Sequence, residues 1–326
     1  MHVVVTGAAG YVGRALAHRL LDAGFLASQE IDYLTLLDRT FDSPPATATT
    51  MQRTIDLTDS AHLRAIFRER PVDAIFHLAS IPGGTAERQY ALARSVNLDA
   101  TLSLLELCQA QVDGGGPMPL FVFASSIATL GMLPDVVDDN TPMRPRMTYG
   151  AHKRIGEILV DDFTRRGWVD GRSLRLPGVL ARPPGRTGQL SAFLSDLMRE
   201  LAGGRPFTCP TGPSATTWAS SLPCVVDNLV FAASAPSDAF ASERALTLPT
   251  LRFSMQEAVD AVGRIFNTPA RELVRWAPNA QIEALFGAFP PLSTHRADAI
   301  GFRNDGDLDR LVRRALAGED SLMSYS

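Results

Sequence analysis

The chain has 326 residues, enough for a large core, and its length suggests two domains or one enlarged one. Hydrophobic residues make up 45% and charged residues 20%, the composition of a folded globular protein rather than a disordered one. A net charge of −4 offers no electrostatic footprint for a polyanion, so a nucleic-acid partner is not expected, and no apolar run nears the roughly 20 residues of a membrane span.

A strand-like run at 3–5 starts just after Met1 and leaves no room for a secretory signal, so a cytoplasmic location is expected. A glycine-rich turn leads into a helix through Leu16, Leu20 and Leu21 that stops near Gly24. Strands are expected at 33–37 and 51–57, with the polar loop Ser43-Pro44-Pro45 between them. A helix at 60–70 and a strand at 72–79 follow. One long helix is expected from 85 to 110, apolar at Leu98, Leu102 and Leu105 and ended by Gly114-Gly115-Gly116-Pro117. A strand at 121–124, a helix at 147–166 and a strand at 173–176 complete the first half. Such alternation implies an α/β fold with a parallel sheet covered on both faces. After Leu176 the texture changes. Pro177, Pro183, Pro184, Pro206, Pro210, Pro213 and Pro223 break every pattern, and helices are expected near 191–202, 222–234, 254–266 and 305–317.

Val5-Thr6-Gly7-Ala8-Ala9-Gly10-Tyr11-Val12-Gly13 lies between the first strand and the first helix. Side-chain-free turns let backbone approach a pyrophosphate, and the helix N-terminus adds N–H groups and a positive dipole end. Asp38, at the end of the next strand, can accept hydrogen bonds from an adenine ribose and repel a 2′-phosphate. NAD is therefore expected over NADP, although Arg39 beside it weakens that choice. Tyr149-Gly150-Ala151-His152-Lys153 sets a phenol and an ammonium four residues apart on one helical face. A free phenol ionises near pH 10, and a neighbouring cation and the helix N-terminus both favour the phenolate. Ser125-Ser126 ends the strand before it, where a hydroxyl can hold a substrate's reacting oxygen. Cys108, Cys209 and Cys224 are odd in number and widely spaced. They suit a reduced compartment, and with His2, His18, His62, His77, His152 and His295 they show no metal spacing, so no metal is expected.

Together these motifs resemble the extended short-chain dehydrogenase/reductase superfamily through most of the first 185 residues. The resemblance implies a seven-stranded Rossmann sheet, doubly wound, over 1–176 and a mainly substrate-binding, smaller α/β domain over 177–326, with some segments expected to return to the first. It also implies a proton shuttle of Ser126, Tyr149 and Lys153, with Ser125 on the cofactor wall. Asp56-Leu57 looks like the pair that meets the adenine, His77-Leu78-Ala79-Ser80 like the strand-end motif lining the cofactor, and Asn97 like the asparagine of the family's long fourth helix. The implied cofactor contacts are Gly7, Gly10, Tyr11, Val12, Asp38, Asp56, Leu57, Leu78, Ala79, Ser80, Asn97, Ser125, Tyr149, Lys153 and Pro177. Ser80, Ser126, Tyr149 and Arg182 are the implied substrate contacts, with Arg182 ahead of Arg186 and Arg144 as partner of a carboxylate. A homodimer through two long helices is also implied.

Departures from the family's patterns narrow the reaction. Ile127-Ala128 replaces the Asp-Glu pair of the nucleotide-sugar dehydratases. Pro177, and Thr216-Thr217-Trp218-Ala219-Ser220, stand where nucleotide-sugar enzymes carry an Asn and an Arg-Asp-aromatic motif. A closer resemblance is to the superfamily's D-erythronate dehydrogenase group. It rests on Thr148-Tyr149-Gly150, Gly167-Trp168-Val169-Asp170-Gly171-Arg172, Leu174-Arg175-Leu176-Pro177, Arg182-Pro183, Cys209-Pro210 and Trp218. It implies NAD-linked oxidation of the C2 hydroxyl of a short sugar acid. A nucleotide-sugar epimerase, a uronate-type dehydrogenase, or a dinucleotide-sensing binding protein without turnover remain the alternatives.

Overall fold

The computed structural model describes residues 1–41, 50–182 and 191–323. The loop Ser43-Pro44-Pro45, together with Pro183, Pro184 and Arg186, lies outside the described residues. Chain contacts divide into two units. The first comprises Met1–Gly131, Pro142–Leu176 and Val226–Thr247, and the second takes Met132–Thr141, Pro177–Val225 and the chain from Leu248 onward.

Seven strands form the sheet of the first unit: β1 (His2–Thr6), β2 (Tyr33–Asp38), β3 (Thr50–Thr54), β4 (Ala74–His77), β5 (Leu120–Ser126), β6 (Asp170–Leu176) and β7 (Ala245–Thr247). Their order is β7-β6-β5-β4-β1-β2-β3, and every neighbouring pair runs parallel. All five residues of β1 and all four of β4 are buried, as runs covered on both faces must be. The order reverses between β1 and β4, so a crevice opens beyond their C-terminal ends, the place where doubly wound sheets bind ligands. This is the Rossmann α/β fold.

Three local differences from the sequence reading have identifiable causes. β3 stops at Thr54 rather than running to 57, because the Asp56 carboxylate accepts from Thr58 N–H (2.9 Å) and Thr58 Oγ1 (2.7 Å) and folds the chain into a turn. The helix expected over 85–110 is in pieces: α3 (Gly83–Arg88) and α4 (Tyr90–Arg94), then a π-helical turn Ser95–Asp99 that runs into α5 (Ala100–Asp113). Asn97 lies inside the π turn and is tied to Ile81, so an interaction outside the helix accompanies the extra residue in that turn. The seventh strand, β7, has three residues and no legible period. A buried charge cluster lies at its root. Arg172 donates to Asp170 (2.6 Å), to the carbonyl of Ala235 (2.6 Å) and to that of Ala232, while Asp170 also accepts from Arg244 (2.6 Å) and Ser237 (2.9 Å). Burial opposes the charge of Asp170, but these donors outweigh it and hold the carboxyl below its usual range.

In the second unit, Thr216–Ser221 pairs antiparallel with Leu251–Ser254 and parallel with Gly178–Leu180, and Phe207–Cys209 pairs with Val274–Trp276. Helices Phe193–Ala202 and Met255–Phe266 pack through Leu194, Leu197, Leu201, Val259 and Val262. No helix among the described residues is long and apolar enough to cross a membrane.

Replacing Asp170 with Ala leaves the buried Arg172 guanidinium without its carboxylate. The expected loss is about 3–5 kcal/mol in denaturant unfolding, with faster amide exchange concentrated in 226–247.

Candidate active site

The turn after β1 is built by close approach. Gly7 has φ +70°, and a Cβ there would stand 2.7 Å from the backbone nitrogen of Ala79. A Cβ on Gly13 would meet the Gly7 carbonyl oxygen at 2.0 Å, so the third glycine lets the helix α1 (Tyr11–Ala23) start against the turn. Gly10 caps α1 with no side-chain hydrogen bond, and no acidic residue occupies its first turn. The backbone N–H groups at the positive helix end thus have no capping side chain from α1 itself. This backbone cradle fits the pyrophosphate of a dinucleotide. Asp38 accepts from Ala9 N–H (2.9 Å) and Arg39 N–H (2.7 Å), which orients its carboxylate at the edge of the same turn. Tyr11, Val12 and Asp38 are half-buried there, Asp56 is exposed and Leu57 is buried.

Beyond β4 the backbone is set by a buried relay. Thr101 Oγ1 donates to Asn97 O (2.9 Å), so it must accept from His77 Nε2 (2.8 Å); His77 Nδ1 then accepts from Thr6 Oγ1 (2.7 Å), and Thr6 Oγ1 accepts from Ala79 N–H (3.3 Å). The ring is neutral. Burial, with the charge of Lys153 second, takes its pKa down to about 3. Leu78 N–H donates to Thr6 O (3.2 Å), and Leu78, Ala79 and Ser80 are half-buried at the head of the crevice. Asn97 was expected at the cofactor. Its Oδ1 instead accepts from Ile81 N–H (2.7 Å) and its Nδ2 donates to Ile81 O (3.1 Å), so it shapes the 78–82 loop from behind.

Ser125 and Ser126 diverge, as successive strand residues must. Ser126 Oγ accepts from Ala128 N–H (3.1 Å), which leaves its hydroxyl hydrogen available to donate. Ser125, expected on the cofactor wall, is turned the other way: it is buried and donates to Glu157 at 2.5 Å. The helix α6 (Thr148–Arg165) begins one residue before Tyr149, and Glu87 accepts from Thr148 N–H (2.5 Å) at its start. Gly150 and Gly156 bring α6 down onto β5. A Cβ on Gly150 would lie 2.2 Å from the Ala128 carbonyl oxygen, and one on Gly156 would lie 2.6 Å from the Phe123 ring. The turn after Ser126 and the first turn of α6 are thereby adjacent.

Tyr149 is half-buried, and Lys153 is 2% exposed. Lys153 Nζ lies 4.7 Å from the centre of the Phe123 ring and 5.7 Å from that of Tyr149. Burial lowers its pKa to about 7, against the raising influence of Glu157. Two signals for this site were present in the sequence and unread. Glu157 continues the Tyr149–Lys153 spacing by another four residues, and Lys153 is the only lysine among 31 lysine and arginine residues.

Pro177 and Arg182 belong to the second unit. Pro177 is buried. Arg182 is half-buried, its N–H donating to Ser195 Oγ (3.0 Å) and its carbonyl accepting from Arg199. Arg144 is exposed in the first unit, its backbone held by Leu130. Among the described residues, no cluster of three His, Cys, Asp or Glu side chains could hold a metal.

Residues 3–218 match the model of the NAD dependent epimerase/dehydratase family. The chain is 36% identical over 319 residues to a D-erythronate dehydrogenase of Cupriavidus necator, covering 96% of this chain and 97% of that protein. It is 30% identical over 317 residues to a D-erythronate dehydrogenase of Haemophilus influenzae, covering 96% and 98%. The solved structure of a nucleoside-diphosphate-sugar epimerase from Agrobacterium tumefaciens superposes with a TM-score of 0.91 at 31% identity, over 99% of this chain and 95% of that one. The glycine cradle and the buried lysine thus sit in a chain that belongs to the NAD dependent epimerase/dehydratase family, as an NAD-dependent oxidoreductase acting on a CH–OH donor.

Proposed function

We propose that this protein oxidises the C2 hydroxyl of a short sugar acid, with D-erythronate as the first candidate, to the 2-oxo acid. One observation carries the reading: a buried Lys153 one helical turn from Tyr149, in a chain similar over nearly its whole length to two sugar-acid dehydrogenases. Gly7, Gly10 and the start of α1 would hold the pyrophosphate of NAD and Asp38 its adenine ribose, and the bound cofactor would supply the hydride acceptor for C2. Tyr149 takes the hydroxyl proton, and the Lys153 ammonium favours the phenolate that does so. Ser126, whose Oγ accepts from Ala128 N–H, has its hydroxyl hydrogen to donate to the reacting oxygen. Arg182 is the candidate partner of the substrate's carboxylate.

The dehydrogenase reading has a rival in the epimerase likeness. Epimerisation regenerates its cofactor, so a panel of C4–C6 sugar acids and UDP-sugars with NAD⁺ separates the two. Net NADH is expected from the acids alone, and net product without NADH from a UDP-sugar would replace this reading with the other. Tyr149→Phe is expected to lose about 10²–10⁴-fold in kcat with folding and NAD binding retained; near-native turnover would remove Tyr149 from the mechanism.

Arg182→Ala is expected to raise KM about tenfold or more for an acid, the worth of a charge-assisted hydrogen bond, while sparing a neutral polyol. Equal effects on both would take Arg182 out of the site.

A homodimer through the outer face of α6 completes the reading. Ile155 and Ile158 are 43% and 54% exposed on it, and Tyr90 of α4 is 59% exposed. Light scattering should give twice the chain mass for the wild type and the single mass for Ile158→Asp; a monomeric wild type would refute it.

A further inference from the structure

The carboxylate of Glu157 is the most heavily bonded buried charge in the first unit and has no part in the proton transfer just described. It accepts from Ser125 Oγ (2.5 Å), Arg175 Nε (2.8 Å), Arg175 Nη2 (2.9 Å) and Arg154 Nη1 (2.8 Å). Its side chain is 1% exposed and that of Arg175 7%. A fork-to-fork Arg–carboxylate pair of this kind satisfies itself and needs no further cation. Yet Glu157 stands one helical turn beyond Lys153 on the same face of α6, and β5 and β6 together fix it there through Ser125 and Arg175.

We propose that Glu157 is a positioning residue that acts through Lys153: anchored by Ser125 and Arg175, it supplies the fixed negative charge that keeps the buried amine protonated. The inference rests on the proton-transfer role given to Lys153 above. A buried amine with only an aromatic face beneath it favours the neutral form, and a neutral amine does nothing to stabilise a phenolate. The charged and titratable groups around Lys153 are few. Tyr149 and Glu157 lie on its own helix and neutral His77 on β4, while Arg154 and Arg175 are joined to it through Glu157. Glu157 is the one anion among them. The direction agrees with the electrostatics: Glu157 raises the pKa of Lys153, and burial lowers it to about 7.

The single lysine makes the test direct, since lysine labelled with ¹³C at Cε gives one side-chain resonance in the whole chain. Its titration midpoint in the wild type should lie far below that of a free lysine. Removing the anion removes the influence that raises the pKa, so Glu157→Gln should move the midpoint lower by about one pH unit or more. Glu157→Asp, which keeps the charge, should restore most of the difference. Turnover of Glu157→Gln near neutral pH should fall about tenfold, with recovery in Glu157→Asp. If Glu157→Gln does not fold because Arg175 is stranded, Glu157→Gln with Arg175→Met is compared with Arg175→Met alone, which differs from it only in the anion, and the lower midpoint is expected relative to that reference. A midpoint coinciding with its reference, wild type or Arg175→Met, in whichever variant folds overturns the proposal, as does a lowered midpoint with undiminished turnover. A wild-type chain that oxidises no acid refutes the proposed function instead, and the titration still decides the role of Glu157.

Discussion

Keeping a lone amine inside the protein is the constraint on which the rest of this site depends. Lys153 is 2% exposed, and an ammonium removed from water needs compensation. It has the face of Phe123 below it and the carboxylate of Glu157 one turn away. Glu157 is itself a buried ion, satisfied by Arg154 of its own helix and by Ser125 of β5 and Arg175 of β6, which reach it from two adjacent strands. Those strands must be in register, and α6 must lie close over both. Gly150 and Gly156 allow that closeness, since a Cβ at either would collide with the turn after β5 or with Phe123. A kinetic feature, a proton-transferring pair, thus depends on an ion pair, a strand register and two missing side chains.

The opposite wall of the crevice uses uncharged chemistry for a similar purpose. Thr6, His77 and Thr101 link β1, β4 and α5 by hydrogen bonds that leave the ring no second proton. The Lys153 charge and burial both oppose protonation of His77, so the relay keeps one arrangement across the neutral range. Its end points are the backbone of Ala79 and, through Asn97 and Ile81, the loop that follows. Gly7 then fits beneath Ala79 with no space for a side chain. One wall is set by charge balance and the other by a fixed tautomer, and the dinucleotide cradle lies at the turn the second wall positions.

Family membership and the reaction are answered by different parts of the molecule. The cradle, Asp38, and the Tyr149–Lys153 pair belong to the first unit and match an NAD-dependent family that includes epimerases and dehydrogenases alike. The second unit, where Pro177 and Arg182 stand, has a hydrophobic core of its own, contributed by short strands and several helices.

Periodicity and spacing made much of this protein legible beforehand. Runs of buried apolar residues marked the central strands, the Gly7–Gly13 turn marked the cradle, and a spacing of four put Tyr149 and Lys153 on one face. These are local properties: strand burial, left-handed turns and helical pitch are written in adjacent residues. What tertiary structure decided was where polar side chains found partners. Ser125 and Ser126 are indistinguishable as neighbours in sequence, and only the sheet's faces send one to Glu157 and leave the other at the crevice. Asn97 holds Ile81, and the three residues of β7 join the sheet beside the cluster where Arg172, Asp170 and Arg244 meet. Several of these hydrogen bonds and ion pairs join residues 16 to 74 positions apart, and no local pattern encodes that distance.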